Sequence, residues 1–277
     1  MGKLAGNRIL TEQKDSVWLS LYAHSGFIYE SVKREFQLRY RNSLLGASWV
    51  ILNPLAMIFV YTIIFSKVMQ ARLPDTQGSF AYSVFLMSGV LPWGLLIDML
   101  SRGPSLFLDQ ASLLKKIQFP KMSLVIIATL NSLLNFAIIY ALFIGFLILC
   151  GQFPGWSIFA VIPLLILQVW MCAALLLILA ILNVFFRDVA PLTGIALQFG
   201  FWLTPIVYAP QMIPEAYRSY LFLNPLSAIF DSYHRIFVYQ QYPDWSSLYP
   251  ALLLAVILTF IGWRLFIKRS AEMVDEL

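Results

Sequence analysis

Residues 158–186 read IFAVIPLLILQVWMCAALLLILAILNVFF, and this stretch decides the fold class. It runs without a single Asp, Glu, Lys or Arg. A helix needs about 20 largely apolar residues to cross the hydrocarbon core of a bilayer. The stretch is long enough to do so and is therefore predicted to be a transmembrane helix.

The composition of the whole chain agrees with this prediction. Of its 277 residues, 60% are hydrophobic and 12% are charged, whereas soluble domains carry about 25% charged residues. With a mean hydropathy of +0.77, the chain has too few polar side chains to cover a water-soluble globule. The fold class is therefore predicted to be an all-α integral membrane protein.

The same length criterion predicts six spans, at residues 44–66, 80–98, 122–150, 158–186, 191–209 and 248–267. Four of the 19 Lys and Arg residues lie in connections on one side of these spans: Lys67, Arg72, Arg218 and Arg235. The other 15 belong to the opposite side. Because cytoplasmic loops are rich in Lys and Arg, both termini are predicted to be cytoplasmic. This asymmetry explains the net charge of +5 without nucleic-acid binding.

The chain is expected to have three parts, namely a cytoplasmic N-terminal segment 1–43, a six-span domain 44–267 and a cytoplasmic tail 268–277. In the first part, Ile28, Val32, Phe36 and Tyr40 recur at every fourth residue. This spacing predicts an amphipathic helix that lies in the membrane interface. The alternative is a solvated helix that only anchors the first span.

One aromatic-rich segment, residues 217–240, lies between the fifth and sixth spans. It carries charged residues and is interrupted by Asn224-Pro225. As a full span it would bury each central charge at a cost of about 2.5–3.5 kcal/mol. We therefore expect an external re-entrant or interfacial pair of short helices, covered by protein or facing a water-filled cavity.

Two cytoplasmic connections are candidates for contact with a soluble partner. After the second span, Ser112 can cap a short helix, Lys115 and Lys116 follow, and Pro120 ends it. The alternative is a lysine-rich turn that holds lipid headgroups. After the fourth span, the adjacent charges of Arg187 and Asp188 predict a tight and partly buried turn.

The sequence motifs of several enzyme classes are absent. The sequence contains no GxxxxGK[ST] phosphate loop and no HExxH zinc motif. Cys150 and Cys172 lie in apolar runs without metal-ligand spacing, so neither a disulfide nor a metal site is predicted. A membrane enzyme remains an alternative, but its candidate acids are scattered: Asp98, Asp188, Glu215 and Asp231. No catalytic, cofactor-binding or metal-binding residue is predicted.

The polar residues inside the spans are mostly neutral. Asn131 and Asn135 share one helix face, and Gln198 shares another with Trp202. Further aromatic residues gather in the external half, among them Tyr208, Tyr233 and Phe237. Interhelical hydrogen bonds and an aromatic belt are one interpretation. The other is a path lined for an uncharged, hydroxyl-rich cargo such as a glycan.

Several short motifs resemble those of polysaccharide-exporting ABC transporter permeases. Residues 39–55, RYRNSLLGASWVILNPL, are similar to the family's sequence at the start of the first span. Weaker matches follow in the family's order, at residues 114–120 (LKKIQFP), 186–188 (FRD), 204–208 (TPIVY) and 224–225 (NP). Glu35 departs from the more Asp-like residue that the family pattern leads us to expect.

The resemblance implies a homodimer in the bacterial inner membrane that contacts membrane lipids and has two ATP-binding partner subunits. ATP and magnesium would bind to those partners, and the cargo would be a polysaccharide such as O-antigen, commonly lipid-linked. The residues expected to couple to the ATPase are Tyr29, Val32, Phe36, Arg39, Lys115, Lys116, Phe119, Pro120, Arg187 and Asp188. Those expected to line the glycan path are Asn131, Asn135, Gln198, Trp202, Tyr208, Tyr233 and Phe237. The alternatives are a drug or lipid exporter on the same scaffold, or a membrane enzyme acting on lipid-linked sugars.

Overall fold

The computed structural model of the chain describes residues 25–40, 48–64, 80–116, 120–221, 223–270 and 272–277, and within these ranges the regular secondary structure is helical. The α-helices are α1 Ser25–Tyr40, α2 Trp49–Tyr61, α3 Ala81–Arg102, α4 Ala111–Lys116, α5 Met122–Leu149, α6 Val161–Phe185, α7 Val189–Leu203, α8 Glu215–Leu221, α9 Pro225–Phe237, α10 Tyr249–Arg269 and α11 Glu272–Glu276. Short 3₁₀ helices at Gly155–Ala160 and Trp245–Leu248 lead directly into α6 and α10.

Four of these helical stretches are long and apolar enough to cross a membrane. They are Ala81–Arg102, Met122–Leu149, Gly155–Phe185 and Trp245–Arg269. Each overlaps one of the spans predicted from hydropathy. The all-helical prediction is therefore confirmed for the described part of the chain, together with four helices of spanning length.

The other two predicted spans, 44–66 and 191–209, correspond to shorter helices. α2 has 13 residues and α7 has 15, so at 1.5 Å per residue they extend about 20 and 22 Å. Thr204 ends α7 in an extended conformation, as expected for a residue that precedes a proline. α7 is short of the ~30 Å hydrocarbon core. Residues 41–47 and 65–79, on either side of α2, lie outside the described ranges, and a total of six spans stays a prediction.

The core is built around α3, which contacts α2, α5, α6, α7 and α9. On the far side of α6, α10 makes the most extensive helix pair among the described helices. Gly262 allows this approach, because a Cβ atom at that position would lie 3.3 Å from Ile178 and 3.4 Å from the carbonyl of Ala174. Small residues serve the same purpose at other membrane helix crossings.

The segment between α7 and α10 contains the expected pair of short helices, α8 and α9. The break falls at Asn224, whose side chain caps α9 by accepting a hydrogen bond from the N–H of Leu226, and Pro225 is the first helical residue. Proline fits there because the first N–H of a helix has no intrahelical partner. α9 packs against α3, α6 and α10. Re-entry of this segment into the membrane remains a prediction.

The amphipathic helix is present as α1, and its apolar side packs on the start of α5. Ile28 and Val32 are buried against Ile127, whereas Tyr29 on another face is 67% exposed. Through its apolar face, α1 is therefore packed against the rest of the domain. Its position in the membrane interface stays a prediction.

Some sequence predictions fall outside the described residues. They concern Phe119, the external segment 67–79, the domain boundary at residue 43, and the side chains of Arg39 and Lys116.

Candidate transport path and coupling surface

A cavity of about 630 Å³ lies between α2, α3, α5 and α7. This volume is within the usual range for small-molecule sites, about 300–1,000 Å³. Its wall combines aromatic and aliphatic side chains with a few polar ones. The polar lining residues are Asp98, Ser101, Ser132, Asn135 and Gln198, and the aromatic ones are Trp93, Phe136, Phe201 and Trp202. We call this the membrane cavity.

Three of the predicted path residues meet at the membrane cavity. Asn135 comes from α5, and Gln198 and Trp202 come from α7. The side chain of Trp202 is 62% exposed and stands edge-on to the ring of Phe201, with ring centroids 5.3 Å apart. Two amides and an exposed indole, from two different helices, therefore line the same cavity.

Two other predicted path residues, Asn131 and Tyr208, do not line this cavity. Asn131 is buried and donates a hydrogen bond to the carboxylate of Glu35, with 2.5 Å between Nδ2 and Oε2. The hydroxyl of Tyr208 donates to the carbonyl of Trp202 at 2.9 Å. Asn131 thus joins α5 to α1, and Tyr208 holds the chain that follows α7.

Tyr233 and Phe237 occupy the protein core, which differs from the predicted lining of the external exit. Tyr233 has no exposed surface, and its hydroxyl donates to Oε1 of Gln168 at 3.0 Å. Gln168 in turn donates from Nε2 to the carbonyl of Pro92 at 2.7 Å. Phe237 packs against the rings of Tyr140 and Phe143. This chain of contacts fixes α9 to α6, α3 and α5.

A second anchor of α9 involves His234. Its Nδ1 lies 2.9 Å from the hydroxyl of Ser88, and its Nε2 lies 3.1 Å from the carbonyl of Pro205. The imidazole also stacks on Phe85, with centroids 3.9 Å apart. Both ring nitrogens are engaged in structural contacts, so His234 anchors α9 to α3 and to the chain after α7.

A polar cluster that the sequence analysis missed lies at the end of α3. The guanidinium of Arg102 binds the carboxylate of Glu35, with 2.5 Å between Nη1 and Oε1, and that of Asp98 with 3.4 Å between Nε and Oδ1. Asn131 completes the cluster through its bond to Glu35. We call Glu35, Asp98, Arg102 and Asn131 the polar cluster. The signal in the sequence was Asp98, a charged residue at the end of the predicted span 80–98. Charged residues in or near the membrane usually pair with another polar or charged group.

A smaller cavity of about 320 Å³ lies beside the polar cluster, between α1, the turn after α3 and the start of α5. Glu35 and Arg102 both line it, together with Arg34, Ser105 and Asp109. We call it the entrance cavity. It is the more polar of the two cavities, because charged side chains from α1 and α3 meet there.

The predicted coupling residues of α1 and α4 divide into packing and surface positions. Val32 is buried and Phe36 is half-buried, whereas Tyr29 is exposed. In α4, Leu114 is buried and Lys115 is exposed. The exposed residues are therefore the ones available to a partner.

The C-terminal helix α11 packs against α4 and α6. Met273 of α11 is fully buried. Lys121, next to the half-buried Pro120, donates a hydrogen bond from Nζ to the carbonyl of Ser270. α4 and the residues that follow it are thus held in place by the C-terminal part of the chain.

The turn at Arg187 and Asp188 is tight, with the N–H of Val189 bonded to the carbonyl of Phe186 at 3.1 Å. Both charged side chains are exposed, so the expectation of a partly buried turn was wrong in this respect. The buried polar contacts come from Asn183 instead. Its amide donates to the carbonyl of Pro104 at 2.8 Å and accepts from the N–H of Ala190 at 3.1 Å.

Comparison with known proteins adds a family and several relatives. Residues 27–238 match the family model described as ABC-2 type transporter. The O-antigen export system permease protein RfbA of Myxococcus xanthus is 30% identical over 259 residues, covering 93% of this chain and 97% of that protein. A protein of the same name from Klebsiella pneumoniae is 30% identical over 247 residues, covering 88% of this chain and 92% of that protein. The polysialic acid transport protein KpsM of Escherichia coli is 23% identical over 261 residues, covering 92% of this chain and all of that protein.

Proposed function

The chain belongs to the ABC-2 type transporter family, and from this premise we propose that it is the membrane permease subunit of an ATP-driven polysaccharide exporter. The observation that carries the proposal is the membrane cavity, whose mostly apolar and aromatic lining also carries an exposed indole and two amide groups. The names of the relatives support a polymer such as O-antigen as cargo. We further propose that the polymer is attached to a lipid carrier.

A sliding polymer explains why neutral polar and aromatic side chains suit this path. Conduction requires sites that are favourable enough to enter and weak enough to leave. Stacking on an aromatic face and hydrogen bonds to amides meet this requirement, whereas strong charge pairing would hold the polymer in place. Trp202, Gln198 and Asn135 supply such weak sites in the lining of the membrane cavity.

A second copy of the chain would enclose the membrane cavity and complete the conduit. On α7, large apolar side chains such as Ile195, Phe199 and Leu203 are more than half exposed in the single chain. On α2, Phe59 is exposed as well. α2 and α7 flank the membrane cavity, so a homodimer that covers them would close the path toward lipid.

The energy source would be a separate ATP-binding subunit, bound with magnesium and docked on the cytoplasmic face. The sequence of this chain has no phosphate loop. The proposed docking surface combines α1, α4 and the turn at 187–188. Its proposed contacts are Tyr29, Phe36, Arg39, Lys115, Lys116, Phe119, Pro120, Arg187 and Asp188, and the buried Val32 holds α1 in place.

The proposed location is the bacterial inner membrane with both termini in the cytoplasm. The support is the distribution of Lys and Arg, 15 of 19 on one side of the predicted spans. This orientation places α1, α4 and the entrance cavity on the side where ATP is available.

The export role is tested in cells that lack the chromosomal copy of this gene. Complementation with the full chain should restore surface polysaccharide, measured by gel electrophoresis of surface glycans. Trp202→Ala should restore much less, because it removes the exposed ring from the wall. Trp156→Ala is the matched control, since this 80% exposed indole lies outside the membrane cavity.

Equal surface polysaccharide in the Trp202→Ala and Trp156→Ala strains, at equal protein level, would contradict the proposed path. Unchanged surface polysaccharide in the deletion strain itself would contradict the export role.

The coupling surface has its own test. Phe119→Ala should leave membrane insertion intact and lower ATP turnover of the complex, because an apolar contact with the partner is lost. ATP hydrolysis by the purified complex is the measurement, and partner recovery by affinity pull-down is measured in parallel. Normal values of both would remove Phe119 from the docking surface.

A further inference from the structure

The two cavities lie one above the other along the same groove between α3 and α5. On α3, the membrane cavity reaches down to Asp98 and Ser101, and the entrance cavity begins at Arg102. On α5, the entrance cavity reaches Ala128 and the membrane cavity begins at Ser132. The two linings are adjacent on α3, at Ser101 and Arg102, and about one helical turn apart on α5.

The polar cluster lies where the two linings meet. Asp98 belongs to the wall of the membrane cavity, and Glu35 and Arg102 belong to the wall of the entrance cavity. Asn131 lies between the two linings on α5 and binds Glu35. The hydrogen bonds of the cluster thus run across the groove at the junction of the two linings.

Glu35 is the member of the cluster that comes from outside the groove. One carboxylate oxygen accepts from Arg102 on α3, and the other accepts from Asn131 on α5. These partners are 67 and 96 residues away in sequence. α1 therefore inserts a single carboxylate that joins the two walls of the groove.

Among the described helices, α1 packs mainly on one neighbour, α5. Below Glu35, the described apolar contacts of α1 are centred on Ile28 and Val32 against Ile127. The side chains of Arg102 and Glu35 are both partly exposed, and ion pairs of this kind are readily exchanged for water. A displacement of α1 would withdraw Glu35 and leave the groove open between the cavities.

We propose that Glu35, Arg102, Asp98 and Asn131 form an inner gate between the entrance cavity and the membrane cavity, and that movement of α1 opens it. The gate regulates the path described under the proposed function and so rests on that proposal. Glu35 acts as a positioning residue, because it closes the groove by binding Arg102 and Asn131. A partner that pulls on α1 would thereby admit cargo only when the complex is assembled and active.

The test measures access to the membrane cavity directly and uses no glycan. In the full chain, with Cys150 and Cys172 replaced by Ala and the ATP-binding partner coexpressed, a single thiol is placed by Asn135→Cys. A membrane-impermeant cationic methanethiosulfonate reagent is applied to inside-out vesicles. A second protein with Ser105→Cys instead reports access to the entrance cavity.

Glu35→Ala should raise the labelling rate at position 135 at least tenfold and leave the rate at position 105 unchanged. Loss of a carboxylate weakens the attraction for a cationic reagent, so electrostatics alone would change the rate in the opposite direction. Glu30→Ala is the matched control, because Glu30 is an exposed carboxylate on another face of α1 and should change neither rate. Glu35→Gln keeps the shape of the side chain and should give a smaller increase at position 135.

The proposal is overturned if position 135 reacts at the parent rate in both Glu35 variants. It is also overturned if positions 105 and 135 accelerate equally, since that pattern means general loosening of the helices. If the labelling rates change as expected but the protein does not export glycan, the proposed function is contradicted and the proposed gate is not.

Discussion

Truncation of Tyr233 should destabilise the protein strongly, although this residue was predicted from the sequence to line the path. Its ring is fully buried and its hydroxyl binds Gln168. Removal of a buried aromatic ring typically costs about 3–5 kcal/mol of unfolding free energy. At about 2–4 °C per kcal/mol for a chain of this size, Tyr233→Ala should lower the apparent Tm by roughly 6–20 °C.

Tyr233→Phe separates the ring from its hydrogen bond. It keeps the packing and leaves Oε1 of Gln168 without its donor, which costs about 1–3 kcal/mol. Nε2 of Gln168 can still donate to the carbonyl of Pro92. The Tm of Tyr233→Phe should therefore lie between those of Tyr233→Ala and the parent protein.

The assay is size-exclusion chromatography of a fluorescent fusion after heating in detergent. Trp202→Ala serves as the comparison, because substitutions of exposed side chains usually change stability by less than about 0.5 kcal/mol. Equal Tm values for Tyr233→Ala and Trp202→Ala would refute the assignment of Tyr233 to the core. A normal Tm with reduced export in Tyr233→Ala would instead support the prediction that Tyr233 lines the glycan path.

Two further predictions concern packing and topology. Gly89→Ala should lower the Tm, because its Cβ atom would lie 2.8 Å from the backbone carbonyl of Ile206, and overpacking of this kind costs about 1–3 kcal/mol. Gly94→Ala, whose Cβ atom would meet nothing within 4 Å, should leave the Tm unchanged, and equal Tm values in the two variants would contradict the close approach. In intact cells, an impermeant thiol reagent should label Thr76→Cys and spare Lys14→Cys, and the reverse pattern would contradict the proposed orientation.

The long membrane helices could be predicted because hydropathy is a property of one continuous segment. The stretch 158–186 needs no partner to identify it, and the structure forms the helix Gly155–Phe185 there. The break at Asn224-Pro225 was predictable for a similar reason, since capping and the missing proline N–H act locally. α7 ends earlier than hydropathy predicts, because Thr204 precedes a proline and leaves the helical conformation.

Side-chain positions in the candidate site depended on contacts that sequence spacing cannot give. An aromatic ring suits a glycan path and a protein core equally well, so Tyr233 and Trp202 looked alike until the packing of α9 separated them. Asn131 and Asn135 do share the helix α5, but only Asn135 lines the membrane cavity. The pair of Glu35 and Arg102 joins residues 67 positions apart, and no local pattern predicts it.

The most direct measurement is ATP-dependent uptake of radiolabelled lipid-linked polysaccharide into inside-out vesicles that contain this chain and its ATP-binding partner. We expect uptake to require the chain, the partner and ATP together, to fall several-fold with Trp202→Ala and to stay at the parent level with Trp156→Ala. Equal glycan uptake in vesicles without the chain would contradict the account. ATP-dependent transport of a hydrophobic drug in place of the glycan would contradict it as well.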